Sequence, residues 1–218
     1  MKKQYVIILA IVSMFLNFSL SVDAQVVKTK HSLYRKTVRQ KTKELTKKGF
    51  YAKGAGSIEL YVIKALNKEF ELDENGVPKN TVIYNSSVDP TYIGAVNNCR
   101  AAARAAIAGN IETRVAELVK RSLNSDQISA KSANAINKTI TAGKQLIAEK
   151  VSLEDLYTFY REIKDENDGK TLIEVEYASC YSKRLAMQQA KEVLKKQMQN
   201  ETEELHKDLD RIFDLGQE

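Results

Sequence analysis

Leu172-Ile173-Glu174-Val175-Glu176-Tyr177-Ala178-Ser179-Cys180-Tyr181 decides the fold class. Successive side chains of a strand point to opposite faces, so Ile173, Val175, Tyr177, Ser179 and Tyr181 share one side. Leu172, Glu174, Glu176, Ala178 and Cys180 share the other, and two carboxylates among them predict a partly wet face. Just upstream, Asn167-Asp168-Gly169 is turn chemistry. Before that turn, Tyr157, Phe159 and Ile163 alternate with Leu156, Thr158 and Tyr160, which reads as a second strand. Residues 153–181 are therefore expected to form an antiparallel hairpin.

The chain before the hairpin is patterned for helices. Ala95, Cys99, Ala102, Ala103, Ala106, Ile107, Ile111, Val115 and Leu118 recur at steps of mostly three and four after Asp89-Pro90, a cap followed by a first-turn proline. The small residues in the first half of this helix invite close approach of another backbone, and the second half offers ordinary core side chains. Ser57 can cap a helix running to about Phe70 with Ile58, Tyr61, Val62, Ala65 and Leu66 on one face. Asp73-Glu74-Asn75-Gly76 ends it, and Thr81–Tyr84 reads as a short strand. Gln127–Lys144 is expected to be helical, with 145–151 either its continuation or a strand. From Lys183 the charged tail predicts one long helix, whose near-heptad seam of Leu194, Met198, Leu205, Leu209 and Ile212 is interrupted at Glu201-Thr202. Such a seam packs on the domain or on a second copy. The fold class expected is α+β in two layers, helices on a small antiparallel sheet, with a core over residues 49–182 and a helical tail over 183–218.

The amino terminus carries an address. Lys2 and Lys3 precede an apolar run from Tyr5 to Leu20, and Val22-Asp23-Ala24 supplies a cleavage triplet. This is the pattern of a secretory signal over residues 1–24; a retained anchor is the competing reading. Gln25, not cysteine, follows the cleavage point, so no lipidation site is present there. Cleavage removes Lys2, Lys3 and Asp23 and takes the formal charge from +6 to +5. Export to the periplasm or the outer membrane disfavours nucleic acid as a partner and makes a Cys99–Cys180 disulfide chemically permissible.

The exported part is asymmetric in charge. Lys28, Lys30, Arg35, Lys36, Arg39, Lys41, Lys43, Lys47 and Lys48 face one acid, Glu44, so residues 25–48 predict a basic amphipathic helix. Leu33, Tyr34, Val38 and Leu45 form a thin apolar stripe along it. The helix can dock on the domain by that stripe, or meet an anionic surface through its cations. Removing it is expected to leave the core folded.

Residues for chemistry are sparse. Hydrophobic residues at 43% and charged residues at 28% are those of a globular chain, so composition excludes wholesale disorder. Two cysteines and two histidines leave little for a metal centre. Cys99 and Cys180 fall inside a helix and a strand, away from the helix starts that activate thiols, and His31 and His206 lie near opposite ends of the chain. Gly54-Ala55-Gly56 lacks the third glycine of a dinucleotide fingerprint, since Glu59 stands there, and reads as a bend. Glu174 and Glu176 share a strand face, as any two residues so spaced do. No cofactor is called for.

The exported start, the Gly54-Ala55-Gly56 bend, the helix with Ala101-Ala102-Ala103-Arg104-Ala105 running to Ile111 and Val115, and the hairpin through Val175-Glu176-Tyr177 together resemble a family. It is the envelope protein superfamily of the lipoprotein-twenty antigen, FlgP and the FlgT amino-terminal domain, matched over residues 50–182. The resemblance implies a two-layer α/β domain in a non-enzymatic envelope protein that often assembles. The chain departs from the pattern in lacking a lipidation cysteine and in placing about thirty residues between the glycine bend and the alanine helix. The expectation is a non-enzymatic exported envelope protein with a structural or protein-interaction role, binding itself or a protein partner. The alternatives are a small periplasmic ligand-binding or hydrolytic module, and an amphipathic protein associated with a lipid surface.

Overall fold

A computed structural model describes residues 33–166 and 169–215. The expected signal over 1–24, Lys28, Lys30 and His31, and Asn167-Asp168 of the hairpin turn lie outside the described residues. The hairpin itself is present: β3 (Glu154–Lys164) and β4 (Thr171–Ser182) pair antiparallel from Lys164↔Thr171 to Glu154↔Cys180, with a bulge between Asp155 and Tyr157. Two further strands complete an antiparallel sheet of order β1-β3-β4-β2, with β1 at Tyr51–Ala52 and β2 at Asn80–Asp89.

β2 is longer than its apolar part predicts. Thr81–Tyr84 has strand-forming side chains, but Asn85-Ser86-Ser87 does not, and the whole ten residues are strand because β4 supplies partners along their full length. The long helix that follows, α3 (Tyr92–Asn124), also starts later than Asp89-Pro90 suggests. Thr91 is its cap, accepting from the Gly94 amide at 3.0 Å, while the Asp89 carboxylate accepts from the Thr91 amide and hydroxyl. A Cβ on Gly94 would lie 2.1 Å from that carboxylate, so any larger residue would have to displace the group that holds Thr91.

Helices cover both faces of the sheet. On one face lie the helix at residues 33–47 (α1) and α2 (Ile58–Glu69, capped by Ser57), packing Val38, Leu45, Val62 and Leu66 on Phe159, Ala178 and Cys180. On the other, Ala95, Val96, Cys99 and Ala103 of α3 pack on Val175 and Tyr177. The sequence reading of helices on a small antiparallel sheet holds, with a second helical layer added. The alternation of β4 concealed that layer: Ala178 and Cys180, on the side with the carboxylates, are buried under α1 and α2. Val38, Leu45 and Phe50 are buried in this core, so the amino-terminal helix docks on the domain by its apolar stripe.

At 33 residues, α3 is about 50 Å long and outruns the sheet. Its second half joins α4 (Ala130–Lys150), α5 (Lys183–Gln197) and α6 (Glu203–Leu215) in a bundle around Ile107, Val115, Ile136, Leu194 and Leu209. Residues 145–150 continue α4, with Val151 as its C-cap, and Arg104 of α3 donates to the free carbonyls of Ala148 and Glu149, 3.0 Å each. The tail is two helices, not one. The chain breaks over 198–202, and α6 returns along α5, held by Lys191 and Lys195 on Asp210 at 2.8 and 2.7 Å. Leu194, Met198, Leu205, Leu209 and Ile212 are all buried in this bundle, so the near-heptad seam is consumed within the chain.

Candidate functional site

α1 gives one side to the core and the other to solvent. Tyr34, Val38 and Leu45 follow at steps of four and seven and face the sheet and α2; the Tyr34 hydroxyl donates to Asn67 at 2.7 Å. Leu33, counted with the stripe in the sequence, is exposed. Arg35, Arg39, Lys43 and Lys47 succeed one another at steps of four, which stacks them along one exposed ridge, with Lys36 exposed beside it. Among the described residues none of these five forms a salt bridge. A shallow groove of about 520 Å³ runs beside the ridge, lined by Arg39, Thr42, Lys43, Thr46, Lys47 and a single carboxylate, Glu59.

The two remaining lysines of the described arm serve other ends. Lys48 pairs with Glu44 at 2.8 Å, which holds the Glu44 carboxyl below its ordinary range. Lys41 turns inward, its ammonium 3.5 Å from the centre of the Tyr84 ring, and burial lowers its pKa against the pull of Glu176, Glu69 and Glu44. The Tyr84 hydroxyl donates to Glu69 at 2.9 Å, and burial raises its pKa. Glu176 lies in the same layer with its pKa raised by desolvation, opposed by Lys48 and Lys41. Arg161 bridges Glu174 at 2.5 Å and donates to the Lys48 carbonyl at 2.7 Å, tying the end of α1 to the sheet. Glu174 and Glu176 thus share a face as expected, but Glu174 is committed to Arg161.

The glycine bend has a packing cause. Gly54 has φ +133°, and a Cβ there would lie 2.8 Å from the Tyr61 hydroxyl; a Cβ on Gly56 would lie 2.8 Å from the same ring. Tyr61 of α2 therefore covers both glycines.

The two thiols are separated by the sheet. Cys99 packs on one face with Val175 and Tyr177, and Cys180 on the other with Val62 and Ala65. The bridge that an oxidising compartment permits is not formed: both cysteines are free and buried. Alternation along β4 requires this, since Cys180 points away from the side that α3 covers. Burial pushes each thiol up to about 11, so neither is a thiolate near neutral pH.

Sequence reasoning missed one cluster. Asp155, at the β3 bulge, pairs with Arg100 of α3 and accepts from the Tyr177 hydroxyl, whose pKa burial pushes up to about 12. The signal was weak, because the bulge that aims Asp155 toward α3 has no mark in the residue pattern. A wider cleft of about 990 Å³ lies between residues 72–79 and the start of α5, where Asp73 and Glu74 face Arg114, Lys183 and Arg184. Its mixed charge selects no ligand sign. Among the described residues no helix is long and apolar enough to cross a membrane, and no group of three or more His, Cys, Asp and Glu is placed to hold a metal ion. The chain matches no family model, no curated protein and no solved structure.

Proposed function

We propose that this chain is a non-enzymatic exported envelope protein with a structural or protein-interaction role, held to an anionic surface by the ridge of α1. The observation that carries the reading is the stacking of Arg35, Arg39, Lys43 and Lys47, none of which forms a salt bridge among the described residues. Like charges four residues apart destabilise a helix, so the ridge costs stability that an anionic partner would offset. The apolar side of α1 is engaged by the sheet, which favours ionic contact over insertion into lipid. The raised pKa values of both thiols and the commitment of Glu174 to Arg161 support a role without covalent chemistry. The resemblance to the superfamily of the lipoprotein-twenty antigen agrees with this reading.

Joint replacement of Arg39, Lys43 and Lys47 by glutamine tests it on vesicles of phosphatidylglycerol and phosphatidylcholine. Near an anionic surface each cation contributes about 1 kcal/mol, so the triple variant should bind about a hundredfold more weakly. Attachment of the natural chain should also fade as added salt shortens the Debye length. Equal retention of the triple variant and the natural chain would overturn the ridge as the contact.

A further inference from the structure

The two edges of the sheet are treated differently. On one side β1 shields β3 at Phe159 and Tyr160, the Lys53 amide donates to the Thr158 carbonyl at 3.4 Å, and the rest of that edge carries Arg161, Glu162 and Lys164. Charged residues and short covering strands are how sheet edges are kept from pairing with other chains. The other edge is β2, ten residues and about 33 Å long. From Asn80 to Val88 it contains no charge and no proline, and the bulge of this sheet lies elsewhere, in β3. Alternate residues of an edge strand turn their amide and carbonyl away from the neighbouring strand. Among the described residues no turn, loop or side-chain hydrogen bond reaches the backbone of Thr81–Val88 from that open side. Tyr84 and Val88 are exposed large side chains on one face of this strand, with exposed Ser86 between them.

We propose that the open edge of β2 is a self-association surface: two copies pair antiparallel through Tyr84–Val88 about a two-fold axis at Ser86, joining their sheets into one of eight strands. The inference rests on the interaction role proposed above and supplies its partner, a second copy. Residues opposite each other in an antiparallel pair share a face, so a two-fold axis must fall on a residue. Placed at Ser86, it sets Tyr84 of each copy against Val88 of the other, covering both exposed side chains twice. Neither strand brings a charge to the paired run, so like edges meet without repulsion. Both are already extended, and little chain entropy is lost on pairing, unlike the case of a disordered peptide. The two-fold consumes both β2 edges, and the charged β3 edges remain outside, so association stops at the dimer.

Charge exchange at Ser86 tests the contact in the full exported chain. The natural chain should sediment as a dimer whose mass falls toward the monomer on dilution. Ser86→Lys and Ser86→Glu each place like charges across the axis and should weaken the dimer at least tenfold, while an equimolar mixture should restore it as a heterodimer. Ser86 is exposed, and an unchanged thermal midpoint checks that each variant is folded. Ser86→Cys should also cross-link copies under mild oxidation, since Cys99 and Cys180 are buried. A natural chain that stays monomeric at the highest concentration reached, or a dimer indifferent to both Ser86 variants, would overturn the proposal. Vesicle attachment separates the two readings: a monomer that still binds vesicles in a salt-sensitive way defeats this inference alone, and a β2 dimer that ignores vesicles defeats the ridge alone.

Discussion

Glu176 illustrates how a residue acquires a cost from its surroundings. Its neighbours along β4 read as a wet face, yet α1 closes over it and burial raises its pKa despite Lys48 and Lys41 nearby. A carboxyl with a raised pKa in the fold binds its proton to higher pH than in the unfolded chain. Stability therefore falls as pH rises through the interval between the two values, and the whole cost is present above it. Glu176→Gln should raise the thermal midpoint at pH 7, and the gain should vanish below about pH 4, where the unfolded carboxyl is protonated too. A gain that persists at the lower pH would assign the effect to packing. Glu71, Glu112 and Glu154 are shifted the other way by Lys79, Lys144 and Lys68, and their contribution is lost as pH falls through their lowered values. Cys99 and Cys180 show the same dependence on surroundings: each reads as a buried thiol in the sequence, but their separation by the sheet does not.

Among the elements, α1 sits deeper than its stripe suggests. Its apolar stripe is narrow, and a narrow stripe is weak evidence for a deep seat in a core. In the fold, Leu45 is 5% exposed and lies against the α2–sheet cluster. Leu45→Ala should destabilise by about 2–5 kcal/mol in denaturant melts, the range for large-to-small changes at buried sites. An unchanged midpoint would restore the arm as a separate piece. α3, by contrast, was readable in the amino-acid order, because the change from alanine to isoleucine, valine and leucine marks the passage from sheet to bundle. The tail was half readable: the polar interruption at Glu201-Thr202 is where the helix breaks, but the antiparallel return depends on Asp210 finding Lys191 and Lys195 across the turn.

Taken whole, the molecule is a covered sheet and a four-helix bundle joined by one helix. α3 supplies core residues to both, from Cys99 beneath the sheet to Val115 in the bundle, so the two parts should unfold together. Phe213→Ala, deep in the bundle, should cost about 3–5 kcal/mol. Its melt followed by far-ultraviolet circular dichroism should coincide with that followed by the near-ultraviolet signal of the sheet tyrosines. Two separate transitions would show that α3 does not couple them.

The alternation of β4, the steps of α3 and the cap at Ser57 were legible in the linear order, because periodicity and local hydrogen bonding act within a few residues. So was the basic character of α1, though not which cations stand free: packing turned Lys41 onto Tyr84 and left Arg35, Arg39, Lys43 and Lys47 on the ridge. The second helical layer, the length of β2 and its open edge depended on contacts between residues far apart in the chain. Such contacts form only when strands and helices meet, and no local pattern of side chains encodes their partners.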